Sequence, residues 1–135
     1  MNSITPEFAQ AFADEWISAW NAHDLDRVLG HYCDDFEFRS PLIVAIAGEP
    51  SGRLQGKAAI RAYWSQALAR LPGLRFERVD LLLGAGCLTI YYRGHRGLVA
   101  ETFFFDGDGK VRQSAACYSA LASPRFWPTP PARLA

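Results

Sequence analysis

The sequence predicts an α+β fold, with three N-terminal helices packed on a curved, mainly antiparallel sheet that forms a cone-shaped α+β barrel. Three observations predict it. Near the start, Phe8, Phe12, Trp16 and Trp20 recur every fourth residue, the spacing of one helix face. From Leu74 onward turn signals recur about every ten residues, as "GAG" at 84–86, "GHRG" at 94–97 and "DGDG" at 106–109. Short turns between evenly spaced apolar runs join antiparallel neighbours, so the helices come first and the sheet second.

Each element has its own signal. Pro6 and Glu7 suit the first turn of a helix capped by Thr5, and Ala9, Ala13 and Ile17 widen its apolar face. "NAHD" breaks that pattern, and Asp24 caps a second, short helix with Leu25, Val28, Leu29 and Tyr32 inward. "FEFRS" alternates as a strand, with Phe36, Phe38 and Ser40 on one side, Glu37 and Arg39 on the other, and Pro41 at its end. The glycine-rich "AGEPSGRLQG" reads as a loop delivering the chain to a third helix, roughly Lys57 to Leu71, stopped by Pro72 and Gly73. Its inward face is Ile60, Trp64, Ala67 and Leu71, and four hairpin-linked strands follow. One domain is expected over residues 1–123, and the proline-rich segment 124–135 forms a tail that Phe126 and Trp127 can dock.

Composition narrows the function. At 135 residues the chain can bury about two-thirds of the surface its unfolded form exposes. Fourteen basic residues balance fourteen acidic ones, so nothing attracts a phosphate backbone or an anionic lipid surface, and neither nucleic acid nor membrane is an expected partner. The start "MNSITPEFAQ" lacks the pattern of a signal peptide, which predicts a soluble, cytoplasmic protein. Cys33, Cys87 and Cys117, an odd number at unrelated spacings, read as free buried thiols. No phosphate-binding glycine loop is present and no histidines show ligand spacing, so neither cofactor nor metal is expected. "DGDG" resembles the start of a calcium loop, but its twelfth position is Cys117 rather than a bidentate Glu.

The order helix, helix, strand, helix, four strands, with "WISAWNAHDLDRVLGHYCDDFEFRSP", "GKAAIRAYW" and "FDGDGKVRQSAACY", resembles the nuclear transport factor 2-like superfamily and, within it, the SnoaL-like branch. The similarity runs from Phe8 to Tyr118. It implies the fold and leaves the activity open, because members include isomerases, cyclases, dehydratases, epoxide hydrolases and proteins that only bind or dimerise. The steroid isomerases of that superfamily, more distantly similar, end their first strand in an Asp-Pro whose carboxylate shuttles a proton; the matching residue here is Ser40. Their oxyanion-binding Tyr matches Trp16, and their protonated Asp on a late strand matches Glu101. With the base absent, that mechanism does not carry over.

Glu101 is the first catalytic candidate. On "LVAETFFFD" it shares a face with Val99, Phe103 and Phe105, and the resemblance puts that face inside the cone. A carboxyl among apolar neighbours has a raised pKa and suits acid or base work near neutral pH. The alternative is a solvated cross-strand pair with Arg93. His31, at the end of the second helix, is the second candidate, either as a proton carrier on the cavity wall or as a helix-end histidine meeting the last carbonyls. Ser40 reads as a polar pocket residue that orients a ligand. Trp16, Phe38, Trp64 and Tyr118 are the candidate ligand-binding walls, with Trp20 beside them, although Trp20 and Trp64 read more readily as core. Two functions remain: a pocket for a small apolar molecule with acid–base chemistry of the isomerase, cyclase or dehydratase kind, or a non-catalytic domain with a self-filled cavity. Either is compatible with a homodimer through the outer sheet face, where Ala100, Thr102, Phe104, Val111, Ala115 and Cys117 would form an apolar patch.

Overall fold

Thr5, in extended conformation, accepts a hydrogen bond from the Phe8 N–H at 3.1 Å and so starts α1 (Pro6–Asn21). The computed structural model describes residues 3–95 and 97–120. Phe12, Trp16 and Trp20 are buried along one face of α1, as their spacing predicts. The helix stops at "NAHD", where His23 adopts a positive φ of 55° and donates from Nε2 to the Leu74 carbonyl at 2.9 Å. Beside it Asn21 exchanges two hydrogen bonds with the Phe76 backbone, at 3.0 and 2.7 Å, and fixes the end of α1 to the start of the sheet. Asp24 then caps α2 (Leu25–Leu29).

Tyr32 corrects the sequence reading. It belongs not to the apolar face of α2 but to β1 (Tyr32–Arg39), where it is buried on the same side as Phe36 and Phe38. Pro41 ends β1 and also opens a further helix, α3 (Pro41–Ala47), so the described residues form four helices rather than three. Ser40 accepts from the Leu42 N–H at 3.2 Å, proline takes the first helical position where its missing N–H costs nothing, and Gly48 at φ 70° closes the helix. The expected loop holds a short strand, β2 (Arg53–Gln55), before α4 (Lys57–Arg70). The strands β3 (Glu77–Leu83), β4 (Cys87–Gly94), β5 (Gly97–Phe105) and β6 (Val111–Tyr118) follow at the expected turns.

The six strands among the described residues lie in the order β2-β1-β6-β5-β4-β3, antiparallel throughout except for the parallel pair β1 and β6. The sheet is mixed and open, not closed into a barrel; its concave face is covered by the helices, an α+β cone. A parallel neighbour needs a long crossover, and the whole stretch from β2 to β5 supplies it.

Period-two alternation along β5 buries Val99, Glu101, Phe103 and Phe105 and leaves Ala100, Thr102 and Phe104 half-buried on the outer face. Val111 does not join that outer patch: the register shifts between Phe104 and Phe105, and Val111 is fully buried in the core. The cysteines are free as expected but not buried; Cys33 and Cys87 are half-buried and Cys117 is exposed. Among the described residues no helix is long and apolar enough to cross a membrane. The tail 124–135, with Phe126 and Trp127, lies outside the described residues.

Candidate functional site

Glu101 is 4% exposed, and its Oε1 accepts a hydrogen bond from the Tyr92 hydroxyl at 3.0 Å. The two reach each other diagonally across the β4–β5 hairpin, where Tyr92 pairs with Val99 and Glu101 with Ile90. Arg93 pairs with Leu98 on the exposed side, which removes the solvated ion-pair alternative. Burial pushes the Glu101 carboxyl up to about 7, and the Tyr92 hydrogen bond offsets only part of that rise. Three more phenols, Tyr32, Tyr63 and Tyr118, feel the same charge; burial first, and Glu101 in addition, raises each of them, so they remain hydroxyl groups.

The carboxyl lies on the wall of a cavity of about 90 Å³, several times the space one water needs. Much of that wall is a run of aromatic rings in successive contact. Tyr63 meets Phe38 (6.2 Å between centroids), Phe38 meets Trp64 (5.5 Å) and Trp64 meets Trp20 (5.0 Å). Trp20 then meets Phe76 (5.7 Å), which meets Tyr92 (4.5 Å) and so returns to Glu101. On the other side, the Ser40 hydroxyl interacts with the phenols of Tyr63 and Tyr118 and opposes part of the rise that burial causes in both. Leu42 and Ile46 of α3, Ala67 of α4, Val99 of β5, Leu71 and Leu74 add to the apolar lining, and exposed His95 stands at the rim.

The structure therefore brings together Glu101, Phe38, Trp64 and Tyr118 on one cavity, with Ser40 tying Tyr118 to Tyr63. Trp20 and Trp64, read as core, are cavity wall as well as core. Trp16, expected in the pocket, stands behind it: its ring packs on Phe76 and Phe103, and its Nε1 donates to the Tyr32 hydroxyl at 2.9 Å. His31 also lies outside the lining. Its ring packs edge-on against Phe12 at 5.4 Å and its Nε2 is 3.8 Å from Glu15 Oε2, while burial lowers its pKa against the pull of that carboxylate. The indole N–H of Trp20 is buried without an acceptor among the described residues.

Sequence reasoning missed Tyr32, Tyr63 and Tyr92. Tyr92 was within reach: counting back from the Gly94–Gly97 turn sets it opposite Val99 and diagonal to Glu101. Tyr63 sits three residues after Ile60 on the inward face of α4. No local signal marks Tyr32, whose place depends on the pairing of β1 with β6.

Among the described residues no group of three or more His, Cys, Asp or Glu side chains is gathered as a metal site. Chemically, the site offers one carboxyl poised between its two protonation states near neutral pH, several neutral hydroxyls and an apolar enclosure.

Residues 13–117 match the model of the SnoaL-like domain. The chain belongs to that family. A SnoaL-like protein of unknown function from Burkholderia thailandensis is 52% identical, with a TM-score of 0.84 over 87% of this chain and 99% of its own. AclR, a proposed hydroxylase from Streptomyces galilaeus, shares the fold at 16% identity and a TM-score of 0.67, over 87% of this chain and 92% of its own. TerC, crystallised with polyporic acid, does so at 13% identity and a TM-score of 0.68, over 84% of this chain and 92% of its own. The SnoaL-like assignment agrees with the superfamily that the helix and strand order resembles.

Proposed function

We propose that this SnoaL-like domain binds a small, largely apolar molecule in the cavity beside Glu101 and uses that carboxyl for acid–base chemistry of the isomerase, cyclase or dehydratase kind. The observation that carries the reading is the position of Glu101, buried on an aromatic cavity wall with a phenol as its hydrogen-bond partner and its pKa raised to about 7. A structural carboxylate would be expected to have a cationic partner and an ordinary or lowered pKa. Ser40, Tyr63 and Tyr118 orient polar groups of the ligand, and a hydrogen-bond acceptor on it satisfies the Trp20 N–H. Phe38 and Trp64 hold its apolar body, and Trp16 supports the site from behind through Tyr32. His31 takes no part in this reading. A homodimer through the outer face of β5 and β6 accompanies it as a separate proposal, tested by sedimentation at low and high protein concentration.

The test is an NMR titration of small alicyclic and aromatic fragments against the nitrogen-15-labelled protein. Binding in the cavity shifts the indole signals of Trp20 and Trp64 more than that of Trp16, and a Glu101→Gln variant retains binding of uncharged fragments but loses turnover of any fragment the wild type converts. Fragments that leave the Trp20 and Trp64 signals in place up to their solubility limit, or bind elsewhere, contradict the pocket.

A further inference from the structure

Buried carboxylates are ordinarily held by Arg, Lys or a metal, because an ion taken out of water without a partner is costly. Among the described residues Glu101 has no such partner. The ion pairs among the described residues all involve other carboxylates: Arg27 with Glu15, Arg39 and Arg53 with Glu37, Lys57 with Asp34, Arg61 with Asp26 and Arg78 with Asp14. Among the described residues lining the cavity there is no Lys or Arg, and the exposed rim residue His95 is the single side chain there that can carry positive charge.

The remainder of the wall has the complementary character. Six rings, Tyr63, Phe38, Trp64, Trp20, Phe76 and Tyr92, run in contact around the space and end on Glu101. Aromatic faces carry negative quadrupole charge and attract organic cations, most strongly where water is excluded. The phenol oxygens of Tyr63, Tyr92 and Tyr118 can accept hydrogen bonds from an N–H. An anionic ligand would meet Glu101 and these faces with no Lys or Arg among the described lining residues to balance it.

We propose that the ligand of this pocket carries a basic nitrogen, as an organic ammonium ion on an apolar body, its charge held between Glu101 and the aromatic wall. The inference rests on the pocket reading above and gives it a ligand class. Such a ligand supplies the missing counter-charge, lowers the affinity of Glu101 for its proton and holds it as a carboxylate, the form that acts as a base.

The groups facing Glu101 are Tyr92 from β4, Tyr118 from β6, Tyr63 from α4 and Tyr32 from β1, the last held by the Trp16 N–H from α1, with Ser40 ahead of α3 joining two of them. All four phenols are raised, so they stay neutral across the working range. A His95→Gln variant separates the contribution of this rim residue from that of Glu101.

The test compares three probes with one ring and different heads: cyclohexylamine, cyclohexanol and cyclohexanecarboxylate, titrated by calorimetry and by the indole signals between about pH 5 and 9, where the amine stays protonated. The proposal expects the ammonium probe to bind at least about tenfold more tightly than the alcohol at pH 8, and the carboxylate most weakly. The advantage shrinks as the pH falls below the Glu101 range, survives in His95→Gln and drops to about twofold or less in Glu101→Gln. An alcohol or carboxylate that binds as tightly as the amine at pH 8 overturns it, and so does amine binding in the wild type that is flat with pH. The pH series on the wild type needs no folded variant. Binding of cyclohexanol alone overturns this inference and leaves the pocket standing, whereas three probes that all fail to bind overturn both.

Discussion

The hydroxyl of Tyr92 donates to Oε1 of Glu101 at 3.0 Å, joining neighbouring strands of one hairpin inside the core. Burial therefore sets the protonation of this carboxyl, a neutral donor rather than a cation moderates it, and the first consequences concern pH.

Glu101 has a folded-state pKa of about 7 against an ordinary value of 4.5. The folded protein binds the extra proton more tightly than the unfolded chain, so this contribution to stability is fully present below pH 4.5 and is lost as pH rises through about 7. The size of the loss is about 3 kcal/mol at most. In Glu101→Gln this slope disappears, and above pH 8 the variant matches or exceeds the wild type in urea unfolding. A variant markedly less stable than the wild type at high pH would make the ionised carboxylate structural.

Tyr92→Phe removes the group that holds the Glu101 pKa down, so the carboxyl titrates higher than in the wild type. The cost in stability is about 1 kcal/mol, that of one hydrogen bond. The midpoint is read from the carboxyl carbon signal, and a downward or absent shift would mean that Tyr92 does not govern this acid.

Trp16 and Tyr32 provide a prediction about support rather than chemistry. Tyr32→Phe leaves the Trp16 Nε1 donor buried without its acceptor, which costs about 1–3 kcal/mol. Unfolding curves measure the loss, and a change below about 0.5 kcal/mol would show that the bond contributes little.

Ser40→Ala removes both the cap of α3 and the hydroxyl between Tyr63 and Tyr118. A loss of about 1 kcal/mol is expected from the cap, with weaker fragment binding in the cavity. Ser40→Thr retains an oxygen that can cap and restores most of the stability; equal losses in both variants would assign the effect to packing.

Much of this was readable from particular residues. The aromatic recurrence from Phe8 to Trp20 located α1, and the alternation of Val99, Glu101, Phe103 and Phe105 set the carboxyl on one face, which the family resemblance put inside. The turn positions fixed β3 to β6. What escaped depended on short or long-range features. Ser40, Pro41 and Gly48 are a cap, a first-turn proline and a left-handed stop around a helix of seven residues, too short for periodicity to reveal. Trp16 looked inward from α1 correctly, but whether a buried ring faces a cavity or another ring is decided by its neighbours in space, here Phe76, Tyr92 and Phe103. The crossover pairing of β1 with β6, which brings Tyr32 near Glu101, has no signature within either strand.

The most direct measurement is the titration of the Glu101 carboxyl carbon by NMR, assigned by comparison with Glu101→Gln. The account predicts a midpoint near 7, well above the ordinary 4.5. A midpoint at or below the ordinary value would mean a solvated or ion-paired carboxylate, and would remove both the acid–base role and the pocket chemistry built on it.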